Sequence, residues 1–188
     1  MKKISYLFCM FVFVGCSTMS ANIVEPRADI FINQKYKNST LFIIIDDRVK
    51  NDFLSKSSGG IKDIQINGFR ESLSNGLLYS FSSNVREVVF VESQEKEGLY
   101  LIIRFAYPRI YKYKSNLIQT KDDDQYDKPE VKCKLEYVAE LSLNGKLIKS
   151  VNKEVVSEGS IFTIFETDAL LRDVIEVMFR EIGKDLFI

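Results

Sequence analysis

The chain contains no histidine. Ser-His-Asp and Cys-His catalysis are thereby excluded, and so are zinc sites that use imidazole. Cysteine is scarce: Cys9 and Cys16 belong to the N-terminal apolar stretch, which leaves Cys133 alone in the body of the chain. It has no partner for an intrachain disulfide and is expected as a small buried hydrophobe. A surplus of charge is also lacking, with 26 Lys+Arg against 26 Asp+Glu. Nucleic acid, which demands a basic excess or stripe, is therefore not an expected partner. After the N-terminal stretch no second apolar run is long enough to cross a bilayer. What is present is the composition of a folding chain: 188 residues, 46% hydrophobic, with 14 Phe and 9 Tyr. That is enough for one domain with a real core.

The N-terminus has a basic head, Lys2-Lys3, and an apolar run from Ile4 to Val14 interrupted by Ser5; Gly15-Cys16 closes it. This is the layout of a secretory signal peptide. Phe13-Val14-Gly15-Cys16 resembles a bacterial lipobox. Gly15 is the small residue such a box needs, while Phe13 stands where the family usually has Leu. The resemblance implies cleavage before Cys16 and acylation of that cysteine, palmitate included. Losing Lys2 and Lys3 leaves the mature chain slightly acidic. One acyl chain holds weakly and two or more hold durably. Ser17, in place of the Asp that favours inner-membrane retention, implies sorting to the outer membrane. The expected arrangement is a lipid-anchored outer-membrane protein with a periplasmic domain and the membrane as its first partner.

Residues 1–15 are thus read as signal peptide, 16–37 as lipidated cysteine and tether, and 38–188 as one domain. Within the tether, Ala28 to Ile32 has the pattern of a short strand. Thr40 to Ile45 is a short β-branched run stopped by Asp46-Asp47, the signal of a buried strand. Arg48 to Lys62 is a connection with a Ser-Gly tip. Ile66, Phe69, Leu73, Leu77 and Phe81 then recur at helical spacing, with Asn67 as the expected cap and Gly76 as a point of close packing on the sheet. Strands are predicted at Val85–Glu92 and Leu99–Tyr107. The second is apolar on both faces, so helices should cover one side and something else part of the other. Pro108 makes that strand an edge or bends it. The stretch after it alternates basic and aromatic residues as an exposed strand.

Val131 to Leu143 alternates apolar and polar residues up to Asn144-Gly145, a tight-turn pair. An uninterrupted two-residue turn sets Leu143 opposite Lys146, Leu141 opposite Ile148, Glu140 opposite Lys149, Ala139 opposite Ser150, Val138 opposite Val151 and Glu136 opposite Lys153. Thr167 is the expected cap of a last helix whose apolar positions run from Leu170 to Leu186 and cover more than one face. One face is expected on the sheet; the second needs another cover, the first helix, the lipid surface or a partner protein, with Val174 and Val177 as the candidate positions toward a partner.

The predicted fold class is α+β: a two-layer sandwich of a mostly antiparallel sheet covered by two helices, after a lipoprotein signal peptide. The order strand, helix, strand, strand, long hairpin, helix behind a lipobox resembles small Gram-negative envelope lipoproteins, including the lipopolysaccharide-assembly lipoprotein and related auxiliary lipoproteins. The elements that carry it are TLFIII, GFRESLSNGLLYSF, GLYLIIRFAYPRI, KLEYVAELSLNGKLI and the final helix. The assembly lipoprotein has a Gly-Phe-containing strand after its cysteine, and this chain departs from that with Ser17 to Ala21. The resemblance implies no catalysis and an accessory or assembly role in an envelope complex. A barrel-plug role in lipopolysaccharide assembly is one alternative, and a structural subunit of a secretion or motility complex is another.

The candidate interaction surface is Arg109, Tyr111, Lys112, Tyr113 and Lys114, where cations interleave with aromatics. It suits an anionic envelope polymer, or a protein strand added at an edge. The rival class is a hydrolase with paired carboxylates, Glu92 with Glu97 or the Asp122–Asp127 group. Asp122-Asp123-Asp124 and Asp127 lack the ligand spacing of a calcium loop and read as a solvated hairpin tip. No metal, no cofactor and no catalytic residue is expected.

Overall fold

A computed structural model describes residues 19–22, 25–56, 63–95, 97–113, 130–160 and 164–188. The elements are β1 (Met19–Asn22), β2 (Thr40–Ile45), β3 (Phe53–Ser55), β4 (Ile64–Asn67), α1 (Phe69–Ser82), β5 (Glu87–Phe90), β6 (Leu99–Tyr113), β7 (Glu130–Leu143), β8 (Lys146–Ser160) and α2 (Ile164–Phe187). A short 3-10 turn, Gln34–Tyr36, precedes β2. The class is α+β as expected. Five strands in the order β5-β2-β6-β7-β8 form the main sheet, and β1-β4-β3 form a second, small one. The main sheet is mixed: β5, β2 and β6 run parallel, while β6, β7 and β8 form long antiparallel ladders.

The helical face is the core. Leu41, Ile43, Leu101, Ile103, Leu135, Ala139 and Leu141 meet Phe69, Leu73, Leu77 and Phe81 of α1, and Leu171, Ile175, Met178 and Ile182 of α2; all are buried. The first helix starts two residues later than its expected cap. Ile66 and Asn67 belong to β4, and Gly68 takes the cap position with φ 68°. No side chain at Gly68 caps the helix. Asn51 does so from a distance, its carbonyl accepting from Phe69 N at 2.7 Å, and Asp52 Oδ1 accepts from Gly68 N at 3.1 Å. The connection after β2 therefore contains β3 and serves the helix start. Gly76 allows close packing, but against α2 rather than the sheet: a Cβ there would lie 2.6 Å from Phe179 Cε2 and 2.6 Å from Pro26 Cγ.

The outer face of the sheet is also covered in part, as the apolar Tyr100 and Ile102 required. β5 and β6 are parallel with β2 between them, so residues 91–98 must travel back across β2 to begin β6. The described residues of that crossing form no helix. The crossing lies on the outer face, where Gln94 Nε2 donates to Ser142 Oγ at 2.5 Å. Phe42 stacks on Tyr100 at 5.0 Å, and Tyr100 and Ile102 are buried.

Two β-bulges change the register expected from alternation. In β6, Ile103 pairs with Ala139 but Phe105 with Val138, which leaves Arg104 as an extra residue. Before it Leu99, Leu101 and Ile103 face the helices; after it Ala106 and Ile110 do. In β8 the Asn144-Gly145 turn forms with φ 52° and 75°, and Leu143 does pair with Lys146. Ile148 is then extra, so Leu141 pairs with Lys149, Ala139 with Val151 and Glu136 with Glu154. The expected pairs Glu140–Lys149, Glu136–Lys153 and Val138–Val151 do not form. The reason is burial. The unshifted register would place Ser150, Asn152 and Glu154 on the helical face, whereas the bulge supplies Val151, Lys153 and Val155. Lys153 then reaches α2, with Nζ 2.8 Å from Glu181 and 2.6 Å from Asp185.

Residues 25–37, expected as tether, are part of the fold. Pro26, Ala28 and Ile30 are buried in the seam between the helices. Ala28 N donates to Ser80 Oγ of α1 at 3.0 Å, Arg27 N to Glu176 Oε1 of α2 at 3.0 Å, and Asn33 N to Phe187 O at 3.0 Å. With the Arg27, Ala28 and Asn33 donors taken by helix groups and not by a neighbouring strand, Ala28 to Ile32 forms no strand.

Candidate functional site

Cys16, Lys114 and the Asp122–Asp127 group lie outside the described residues. β1 begins three residues after Cys16 and pairs in parallel with β4, Met19 opposite Ile64 and Asn22 opposite Asn67. Asn67 Nδ2 donates to Ser20 Oγ at 2.7 Å. β3 closes this small sheet with Ser55 opposite Ile64. Ser55 then clamps it to the main sheet: its Oγ accepts from Ile110 N at 3.0 Å and donates to Ile110 O at 3.1 Å. Phe53 meets the Tyr107 ring edge-on at 5.2 Å.

This clamp also accounts for Pro108. The amide and carbonyl of Ile110 point toward β3, so the Pro108 nitrogen, two residues earlier, points the same way and away from β7. The strand continues through the proline to Tyr113 with no ladder bond lost. The basic-aromatic stretch is consequently not a free edge on its β7 side, where Lys112 and Tyr113 pair with Val131 and Glu130. Among the described residues the long open edge of the main sheet is β8.

Arg109 and Tyr111 share the outer face with cations and carboxylates of β7 and β8. Arg109 lies 3.5 Å from Glu136 and over the Tyr107 ring. Lys134 contacts Glu154 at 2.6 Å and the Tyr111 ring at 5.6 Å, and Lys132 contacts Glu158 at 2.5 Å. The Glu154 hydrogen bond raises the Lys134 pKa. The strip is thus a charge-alternating, tyrosine-studded surface rather than a purely cationic one. Of the two helix positions expected to face a partner, Val174 is wholly buried and Val177 half-buried against the core. The second face of α2 is covered by this chain's own α1, β1 and N-terminal segment.

A separate cleft of about 770 Å³ opens where β2 and β5 end, lined by Asp46, Asp47, Arg70, Glu92, Gln94 and Arg104 among others. Sequence reasoning took Asp46-Asp47 only as the stop of a strand; the Asp-Asp-Arg run at a strand end was the available signal. Arg70 donates to the carbonyls of Asp46 at 2.7 Å and Val49 at 3.1 Å, plugging the end of β2. Arg48 grips Asp46 at 2.9 Å and Arg104 stands 3.8 Å away, while Arg104 also bonds Glu140 at 2.8 Å. The Arg48 hydrogen bonds hold the Asp46 carboxyl down at about 2. That is the opposite of the raised pKa a general acid needs. Glu92 lines this cleft and Glu97 a different one beside Thr40 and Arg86, so the structure does not bring them together.

No family model matches the chain. No curated protein matches it either. Among solved structures it is similar to XCC0632 of Xanthomonas campestris, of the DUF330 family, with a TM-score of 0.51 at 11% identity over 88% of this chain and 93% of that one. It is also similar to a minor lipoprotein of Acinetobacter baumannii, TM-score 0.46 at 12% identity over 80% and 90% of the two chains. A neuraminyllactose-binding hemagglutinin homologue of Helicobacter pylori gives 0.42 at 17% identity over 87% and 92%. At these identities the likeness to the Xanthomonas protein is one of fold alone.

Proposed function

We propose that the protein is a lipid-anchored accessory or assembly subunit of a Gram-negative envelope complex, held at the outer membrane through Cys16 with its domain in the periplasm. It supplies placement and surface and performs no catalysis. The observation that carries this reading is the fit between the lipobox and the fold. The described elements begin at Met19, so a cut between Gly15 and Cys16 removes none of them. No described helix is long and apolar enough to cross a membrane, which leaves attachment to the N-terminus in this reading. Asp46 and Asp47 of the cleft are tied to arginines, as a structural ion-pair group would be.

The test is Cys16→Ser in a Gram-negative host fed labelled palmitate, with co-purification from mild-detergent extracts. Wild type is expected to incorporate label, to fractionate with the outer membrane and to bring down a stoichiometric partner; the variant should lose label and accumulate as precursor. Equal labelling of both would refute the anchor. Hydrolysis of an envelope polymer by the purified protein would refute the non-enzymatic role.

A further inference from the structure

We infer that the lipid anchor does not hold the domain at the end of a tether but seats it against the bilayer by one pole, with Arg109, Tyr111 and Lys132 at the headgroup layer. This rests on the reading of Cys16 as the lipidated residue. Met19 is three residue steps along the chain from Cys16, with Ser17 and Thr18 between them. Fully extended, those three steps span at most roughly 11 Å. Met19 is fixed by its place in β1, so the acyl chains must enter the membrane within that reach of the small sheet.

The register then says which end of the molecule is close. Going back along β1 toward the anchor means going from Asn67 to Ile64 in β4, and from Phe53 to Ser55 in β3. Phe53 lies beside Tyr107 and Ser55 beside Ile110, so the same direction runs from Tyr107 toward Tyr113 in β6. Ile110 is two strand spacings and one Ser55 side-chain bridge from Met19, about 15 Å. Lys132, opposite Tyr111, shares this end, as does Lys56, which is exposed just past β3. The Asn144-Gly145 turn is at the other end of the ladder. Ile110 pairs with Cys133 and Leu99 with Leu143, ten ladder steps apart along β7. At strand rise that is about 34 Å.

The chemistry of the near pole suits headgroups. Tyrosine is favoured at the membrane-water interface, and Arg and Lys pair with lipid phosphates. The partners Glu136 and Glu158 keep the surface from being strongly cationic. Acyl insertion therefore provides most of the affinity, and the strip provides orientation.

The experiment uses the mature lipidated protein in phosphatidylethanolamine–phosphatidylglycerol vesicles that carry a headgroup spin label. Single fluorophores are placed through Tyr111→Cys, Lys56→Cys and Asn144→Cys; Cys133 is buried and stays silent. Emission from positions 111 and 56 is expected to be quenched several-fold more than from position 144. The exposed Lys56 site keeps the test valid if Tyr111→Cys fails to fold. Equal quenching at all sites, or stronger quenching at 144, overturns the orientation while leaving the anchor standing. Wild-type protein that carries no acyl chain, or that binds vesicles no better than Cys16→Ser, overturns the anchor and the orientation with it.

Discussion

Adding one methyl group at Gly183 interrogates the least expected feature of the fold, the seating of residues 25–33 across the helices. A Cβ at Gly183 would stand 2.1 Å from Ile30 Cγ2 and 3.5 Å from both Ile30 Cβ and the Phe31 carbonyl. The first distance is a clash and the other two are ordinary contacts. In a helix not covered at this position, Gly→Ala should stabilise by about 1 kcal/mol through backbone propensity. Here the overlap with a buried isoleucine should cost about 1–3 kcal/mol. Gly183→Ala is therefore expected to be neutral or to destabilise by up to ~2 kcal/mol. Ile30→Ala alone, at a residue 5% exposed, should cost about 2–5 kcal/mol. In the double variant Cγ2 is gone and the new methyl meets only Cβ and the Phe31 carbonyl, both at ordinary contact distance, so Gly183→Ala should now stabilise. The sign of its effect reverses, with a coupling of roughly 1–3 kcal/mol. Urea unfolding followed by circular dichroism, on protein lacking residues 1–16, measures all four corners of this cycle. Additive effects, or a wild-type-background gain of about 1 kcal/mol, would refute the reasoning and return the segment to a tether.

Two further outcomes are expected. A double-mutant cycle on Arg104 and Glu140 should give a coupling of about 0.5–1 kcal/mol, and one on Glu140 and Lys149 should give none; the reverse would show that the β8 bulge is misplaced. Asp46 has its pKa lowered from 3.8 to about 2 by Arg48, so its contribution is fully present above pH 4 and is lost as pH falls from about 4 to about 2; the acid limb of stability should be flatter in Asp46→Asn by less than about 1 kcal/mol, and an unchanged limb would refute the assignment.

Much of the architecture was legible because apolar period and burial coincide. Leu41, Ile43 and Ile45 alternate inward in β2; Phe69, Leu73, Leu77 and Phe81 line α1; Val131 to Leu141 alternate inward along β7 without a break. Cys133 follows from the same alternation and is buried, with its thiol pKa pushed up by desolvation. The illegible parts are those where partners are distant in sequence. β1 and β4 are four residues each, and even the alternation of Ile64-Gln65-Ile66-Asn67 is too short to declare a strand by itself; they exist because each satisfies the other's backbone across more than forty positions. The 25–33 segment is held by Ser80, Glu176 and the end of α2, none of which a local reading can supply.

The bulges mark the point at which local rules compete. At Asn144-Gly145 the turn chemistry was right and the pairs next to the turn formed as expected. Charge complementarity then favoured keeping that register, since Glu140 would meet Lys149 and Glu136 would meet Lys153. Each such pair is worth about 0.2–1 kcal/mol. Core placement of Val151 and Val155 instead of Ser150 and Glu154 is worth more, because a buried Val contributes about 1.5–3 kcal/mol and a carboxylate in its place carries a desolvation penalty. Burial wins by that margin, and the displaced charges find other partners: Glu140 on Arg104, Glu136 on Arg109, Lys153 on Glu181 and Asp185. The Arg104 bulge obeys the same logic from the other strand. Alternation alone keeps Arg104 on the outer face beside Asp46; the bulge turns Phe105 outward after it and brings Ala106 and Ile110 to the core in place of Phe105 and Arg109. By doing so it also fixes which face Arg109 and Tyr111 occupy. The surface assigned here to the membrane is thus set by core packing five residues upstream, not by the pattern of the strip itself.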